Sequence, residues 1–230
     1  TEIYTLSLHD ALPIWYFVLN NDRAIQLSGG RIILPVALHK VPGDPAWPQK
    51  AKLFCYYSDD NGQSWAAGNQ VPDTTAIITQ EPGVIEMKNG QLLMFIRASG
   101  GYQQFALSAD RGVTWSHIGS LGVASPLSPA SIKKIPSTGD WLMVWNNNDG
   151  SRPQTKGERT PLTVAVSRDE GKTWPYITDI ETDPDGWYCY TAIHFYKRHV
   201  LLGYCAGSQQ AGTHLDVAAI RRIRVSDLYR

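Results

Sequence analysis

Ser58-Asp59-Asp60-Asn61-Gly62-Gln63-Ser64-Trp65, Ser108-Ala109-Asp110-Arg111-Gly112-Val113-Thr114-Trp115 and Ser167-Arg168-Asp169-Glu170-Gly171-Lys172-Thr173-Trp174 are three copies of one octapeptide, S-x-D-x-G-x-(S/T)-W. Their central aspartates lie 50 and 59 positions apart. Self-similarity at that period marks repeated antiparallel sheets, as in the blades of a propeller. An apolar strand enters each copy: Leu53–Tyr57, Phe105–Leu107 and Leu162–Val166. In each turn the Asp carboxylate and the Ser or Thr hydroxyls are suited to bond amides. The Gly permits a positive φ. The Trp is expected to cover the hairpin and bury a large apolar surface. The three aspartates therefore read as structural rather than catalytic.

Outward from the octapeptides, apolar runs recur between turn signals. Ala24–Leu27, a Gly29-Gly30 turn and Arg31–Leu38 lead to the first copy. Gly83–Met87, the turn Lys88-Asn89-Gly90 and Gln91–Ile96 lead to the second. Ser131–Ile135, a turn over residues 136–140 and Trp141–Trp145 lead to the third. Thr191–Phe195, a turn at Lys197-Arg198, Val200–Tyr204 and Leu215–Arg224 form a fourth group. The expected fold is all-β: four blades of about four antiparallel strands, without amphipathic helices.

The chain has 230 residues, of which 43% are hydrophobic and 18% charged, an ordinary globular composition. Its formal net charge is zero, which argues against a nucleic-acid partner. No apolar run is long enough to span a membrane. Cys55, Cys189 and Cys205 are too few and too scattered for a zinc motif or a dense disulfide framework, and no metal or other cofactor is expected. An odd cysteine count fits a reducing compartment slightly better. Residues 1–14, Thr1 to Ile14, read as a translated sequencing-adapter oligonucleotide; with no basic n-region they do not make a signal peptide. The expected organisation is a non-native segment, 1–14, followed by one domain, 15–230.

The octapeptide resembles the Asp box of the sialidase (neuraminidase) superfamily, whose fold is a six-bladed propeller. The resemblance implies that this sequence corresponds to roughly the last four blades. It extends to particular residues. Gln80-Glu81-Pro82-Gly83 through Ile96-Arg97 resembles the segment carrying the family's catalytic Glu and a carboxylate-binding Arg, which implies those roles for Glu81 and Arg97. Glu86 is the rival carboxylate, expected to be solvated before its hairpin turn. Arg159-Thr160-Pro161 before the third box resembles the last arginine of the family triad. Trp187-Tyr188-Cys189-Tyr190-Thr191 resembles the segment of the nucleophilic tyrosine, with Tyr190 aligning better than Tyr188.

The residue types fit one chemistry. A sialic acid carries a carboxylate on its anomeric carbon, and planar guanidinium groups bind carboxylates bidentately. A neutral Tyr avoids the repulsion that a carboxylate nucleophile would meet, and sialidases depart from the two-carboxylate scheme in this way. A neighbouring Glu activates the phenol as a base. The resemblance thus implies a retaining exo-glycosidase for sialylated or other acidic glycans. A further arginine and an Asp general acid, which the family draws from its first blades, have no counterpart assigned here, so the 230-residue chain is expected to be a defective catalyst. Two rivals remain: a non-catalytic Asp-box propeller that binds glycans or protein, and a same-fold hydrolase for another acidic sugar. Asp183-Pro184-Asp185-Gly186 reads as a plain turn rather than a calcium loop, and His194 as a core or rim residue. Asn20-Asn21-Asp22-Arg23 and Asn146–Asp149 are polar runs beside apolar strands that could line a sugar pocket but have no fixed role, and the context of Asp22 and Arg23 does not match the missing acid and arginine.

Overall fold

The computed structural model describes residues 16–41, 49–151 and 158–230; the segment 1–14 lies outside them. Four antiparallel sheets follow one another along the chain as the blades of a propeller. The first contains β1 (Tyr16–Val18), β2 (Ile25–Gln26), β3 (Ile32–Lys40), β4 (Lys52–Ser58) and β5 (Ala66–Ala67). The second contains β6 (Thr79–Glu86), β7 (Leu92–Ala98), β8 (Tyr102–Ser108) and β9 (Gly119–Ala124). The third contains β10 (Ser131–Lys134), β11 (Trp141–Asn146), β12 (Leu162–Ser167) and β13 (Tyr176–Glu181). The last contains β14 (Gly186–Tyr196), β15 (His199–Ser208) and β16 (Ala218–Arg224), and a 3₁₀ helix, Val225–Tyr229, follows it. No helix among the described residues is long and apolar enough to cross a membrane.

The expected four strands per blade become five, four, four and three. The five arise because one strand position is split. β2 pairs with β3 at Ile25↔Ile33, while β1 pairs further along it at Phe17↔Leu38 and Val18↔Ala37. Residues 19–24 therefore leave the ladder as a loop between two short pieces, and this loop reaches the site described below.

An apolar layer forms between each pair of successive blades. Leu27, Ile33, Leu53 and Cys55 meet Leu92, Met94, Ile96 and Trp115. Ile85, Leu93 and Phe95 meet Ile132, Trp141, Met143 and Trp145. Leu142, Val144, Val164 and Val166 meet Ile193, Leu202 and Tyr204. Burying one such side chain fully contributes about 1.5–3 kcal/mol. Gly83 has a packing reason: a Cβ there would stand 2.2 Å from the ring of Phe95, its cross-strand partner.

The octapeptides close as their composition predicts. In the first, Ser58 Oγ donates to Asp60 Oδ1 (2.7 Å) and accepts from Gly62 N–H (2.8 Å). Asp60 also accepts from Ser64 N–H (2.8 Å) and Ser64 Oγ (2.6 Å). The same bonds recur at Ser108, Asp110, Gly112 and Thr114, and at Ser167, Asp169, Gly171 and Thr173. The residues before the glycines, Asn61, Arg111 and Glu170, also have positive φ, near 60°. These bonds hold the Asp60 and Asp169 carboxyls down at about 2, chiefly through the hydroxyls of Ser64 and Thr173. Trp burial differs from expectation. Trp115 is 7% exposed and packs into the layer shared with the first blade, but Trp65 is 43% exposed. No blade precedes the Trp65 sheet among the described residues, and its ring lies over its own turn, donating to the Gly62 carbonyl at 3.1 Å.

Candidate active site

Two β-bulges build the centre of the site. In β6 the register shifts between Gln80 and Pro82, leaving Glu81 outside the ladder with φ 28°. Pro82, in register with Ile96 just past the shift, has no N–H to offer that ladder, which weakens the pairing beside the bulge. In β14 the register shifts between Cys189 and Ala192, and Tyr190 takes φ 55°. A positive φ is uncommon for Glu and a marked outlier for bulky Tyr. Such conformations cost about 1–3 kcal/mol each and persist where surrounding contacts enforce them. Bulges re-aim side chains, and these two aim at each other.

Tyr190 Oη donates to Glu81 Oε1 at 3.3 Å. The other carboxylate oxygen, Oε2, accepts from Arg97 NH1 at 2.6 Å, in an ion pair whose side chains are both 12% exposed. Arg97 stands at the end of β7, where Gln80 is its cross-strand partner. Arg159 enters from the loop before β12, its carbonyl accepting from Tyr188 N–H at 2.9 Å. Its guanidinium carbon lies 4.8 Å from the Trp187 ring centroid and 5.4 Å from that of Tyr190. Glu81, Arg97, Arg159 and Tyr190, 109 positions apart at their extremes, thus form one cluster. Two buried donors in it, Arg97 Nε and Arg159 NH1, have no hydrogen-bond partner among the described residues. Burial first, and the Glu81 charge second, push the Tyr190 phenol above its ordinary value, while the two arginines pull the other way. The resting phenol is therefore neutral and able to donate to Glu81.

The loop over residues 19–24 supplies the partners that the Tyr190 bulge lacks. Asn21 Nδ2 donates to the Tyr190 carbonyl at 2.9 Å. Asp22 Oδ2 accepts from Ile193 N–H at 2.8 Å, and Asp22 pairs with Lys133, whose ammonium also donates to the Ile193 carbonyl at 2.9 Å. Ser131 Oγ donates to the Thr191 carbonyl and accepts from Arg23 NH1 at 3.0 Å. Arg23 is buried, donates to the Ala130 carbonyl and lies over the Phe95 ring, and burial lowers it to about 10. These side chains come from the first and third blades and hold the backbone from Tyr190 to Ile193. The sequence marked the Asn-Asn-Asp-Arg run but no role for it, and gave no sign of Ser131 or Lys133.

Three other expectations change or gain detail. Glu86 is half-buried rather than solvated, accepting from Ser28 N–H (2.9 Å) and Ser28 Oγ (2.7 Å) across the first blade interface. His194 is exposed, which leaves the rim of its two expected places and excludes the core. Asp183 and Asp185 form a turn: Asp183 accepts from Asp185 N–H, and Asp185 accepts from Gln210 N–H and Ser208 Oγ.

The sequence profile of the BNR repeat-like domain matches residues 5–200. The chain belongs to the BNR repeat-like family. This BNR-repeat propeller is 29% identical over 170 residues to a sialidase of Bacteroides fragilis (strain YCH46), a match covering 70% of the chain and 28% of that protein. It is 43% identical over 117 residues to a sialidase of Clostridium perfringens, covering 48% of the chain and 28% of that protein. The chain thus spans less than a third of the length of these curated relatives. Among solved structures, a leech intramolecular trans-sialidase shares its fold with TM-score 0.71 at 19% identity, over 93% of the chain and 32% of that protein. The Ruminococcus gnavus intramolecular trans-sialidase gives TM-score 0.68 at 20% identity, over 94% of the chain and 45% of that protein. The BNR-repeat propeller is therefore a sialidase-type propeller in fold.

Proposed function

We propose that this chain carries the nucleophile half of a sialidase-type glycosidase site, acting on terminal sialic acid or a related nonulosonic acid. Tyr190 attacks the anomeric carbon, Glu81 takes the phenolic proton, and a glycosyl-tyrosine forms that water then hydrolyses with retention. Arg97 and Arg159 receive the substrate carboxylate. The observation that carries this reading is the Tyr190–Glu81 contact of 3.3 Å beside two buried guanidinium donors with unmet hydrogen-bonding capacity. A buried polar donor left unpaired costs about 1–3 kcal/mol, and an anionic ligand relieves that cost at Arg97 and Arg159 together. Arg97 also fixes the orientation of Glu81, so one residue aligns both the base and the substrate.

The general acid implied by the family resemblance has no assigned residue, so an ordinary sialoside, whose leaving group needs a proton, is turned over poorly by this chain. A fluorinated sialosyl fluoride needs no such proton, because fluoride departs as the anion. Incubation with this reagent followed by peptide mass mapping is expected to place the sugar on Tyr190. Labelling is expected to vanish in Tyr190→Phe and to fall by about 10²–10⁴-fold in Glu81→Gln, the usual contribution of a positioned base. Sugar binding without an adduct would overturn the catalytic reading in favour of a glycan-binding propeller.

A further inference from the structure

Cys189 and Cys205 face each other across β14 and β15 as directly paired residues. Directly opposite residues of an antiparallel pair stand about 4.5–5.5 Å apart at Cα, inside the range of about 4.4–6.8 Å that a disulfide spans. Both are free thiols here, Cys189 buried and Cys205 half-exposed. Cys189 is also the last residue in register before the bulge that presents Tyr190. Cys55, the third cysteine, is buried in the first blade interface.

We propose that Cys189 and Cys205 are an oxidisable pair whose disulfide fastens β14 to β15 at the base of the Tyr190 bulge. The co-reactant is a peroxide. Cys205, the half-exposed member, attacks one peroxide oxygen; the O–O bond breaks, the sulfur becomes a sulfenic acid and water leaves. The Cys189 sulfur then attacks the Cys205 sulfur, the S–O bond breaks, the S–S bond forms and a second water leaves. The two thiol protons end in the two waters, and the peroxide is the species reduced. Burial pushes the Cys189 thiol up to about 11, against the pull of the Arg159 guanidinium beside it. Cys205, within reach of solvent, therefore meets the peroxide first, and the buried Cys189 resolves the sulfenic acid. In the reduced form the bulge depends on the side chains of the 19–24 loop, Ser131 and Lys133. In the oxidised form its leading end is also covalently anchored.

The test treats the chain under native conditions with hydrogen peroxide. Free thiols are then blocked with N-ethylmaleimide after unfolding, and the peptides are mapped without reduction. The expected result is an intrachain Cys189–Cys205 peptide pair, one remaining alkylated cysteine, Cys55, and full reversal by dithiothreitol. Cys205→Ser is expected to leave Cys189 as an alkylatable thiol after the same treatment. Hydrogen exchange at Ile193 N–H is expected to slow in the oxidised form. Three results would overturn the proposal: both thiols still alkylated, a link that runs between chains on a non-reducing gel, or a link that forms with unchanged exchange at Ile193. None of these readouts depends on glycosidase activity, so the proposal stands or falls separately from the function proposed above.

Discussion

Asp22 shows how much one residue outside the cluster of Glu81, Arg97, Arg159 and Tyr190 does for its geometry. Its carboxylate satisfies Ile193 N–H, and the ammonium of Lys133 pairs with the same carboxylate. Asp22→Ala removes both interactions, leaving the buried Ile193 amide without its acceptor and the Lys133 ammonium with the Ile193 carbonyl alone. The expected cost is about 1–3 kcal/mol, read as a shift of the urea midpoint at low protein concentration. The fluoride-trap reaction at Tyr190 is expected to slow as well, because the bulge loses a support. Glu81, Arg97, Arg159 and Tyr190 were legible in the sequence because each lies in a local segment with a recognisable pattern. The Asp22–Ile193 bond was not, because it joins residues 171 positions apart. Periodicity places residues on a strand face but does not say which distant backbone amide a side chain will cap.

At the scale of elements, the turn-closing bonds of the Asp boxes were legible, since they fall within a few residues of one another, whereas the contacts of Asp59 with Arg31 and of Glu170 with the Lys88 amide reach across the fold and were not. The boxes carry a pH dependence. The Asp60 and Asp169 carboxyls titrate at about 2 in the folded chain, below the ordinary value of about 3.9 for Asp. Their contribution is therefore complete above about pH 4 and is lost as pH falls towards 2, where the protonated carboxyls bind less well to the turn. Thermal melts between pH 5 and pH 2 are expected to show a falling midpoint, and Asp60→Asn with Asp169→Asn to flatten that fall. The splitting of one strand into β1 and β2 was not legible, nor were the two bulges. All three are register events, and register depends on how strands meet rather than on their own composition. Pro82 was the one local clue, because a residue without an N–H marks where a ladder can break.

At the scale of the molecule, apolar layers tie the blades in series, and the two outermost faces have no such layer among the described residues. Ile220 is 79% exposed, Tyr196 56% and Trp65 43%. β16 also leaves one backbone edge unpaired by any described strand. Exposed apolar faces with free strand edges favour pairing with another chain. The 230-residue chain on its own is expected to self-associate with rising concentration, measured by sedimentation velocity. Ile220→Lys is expected to weaken that association without lowering the thermal midpoint, since the side chain packs against little. A monomer at all concentrations would contradict this.

The loop at residues 19–24 sets an order of events during synthesis. Its partners at Tyr190 and Ile193 emerge about 170 residues later. At about 5–20 residues per second that is a delay on the order of ten to thirty seconds. Over that interval Asp22 and Arg23 can meet Lys133 and Ser131 of the third blade, but Asn21 still lacks the Tyr190 carbonyl and Asp22 the Ile193 amide. The pocket is therefore among the last features the nascent chain builds. A ribosome-bound chain halted before Tyr190 would display folded blades around an unassembled centre, so binding of an anionic sugar would report emergence of the Tyr190 segment rather than the onset of folding.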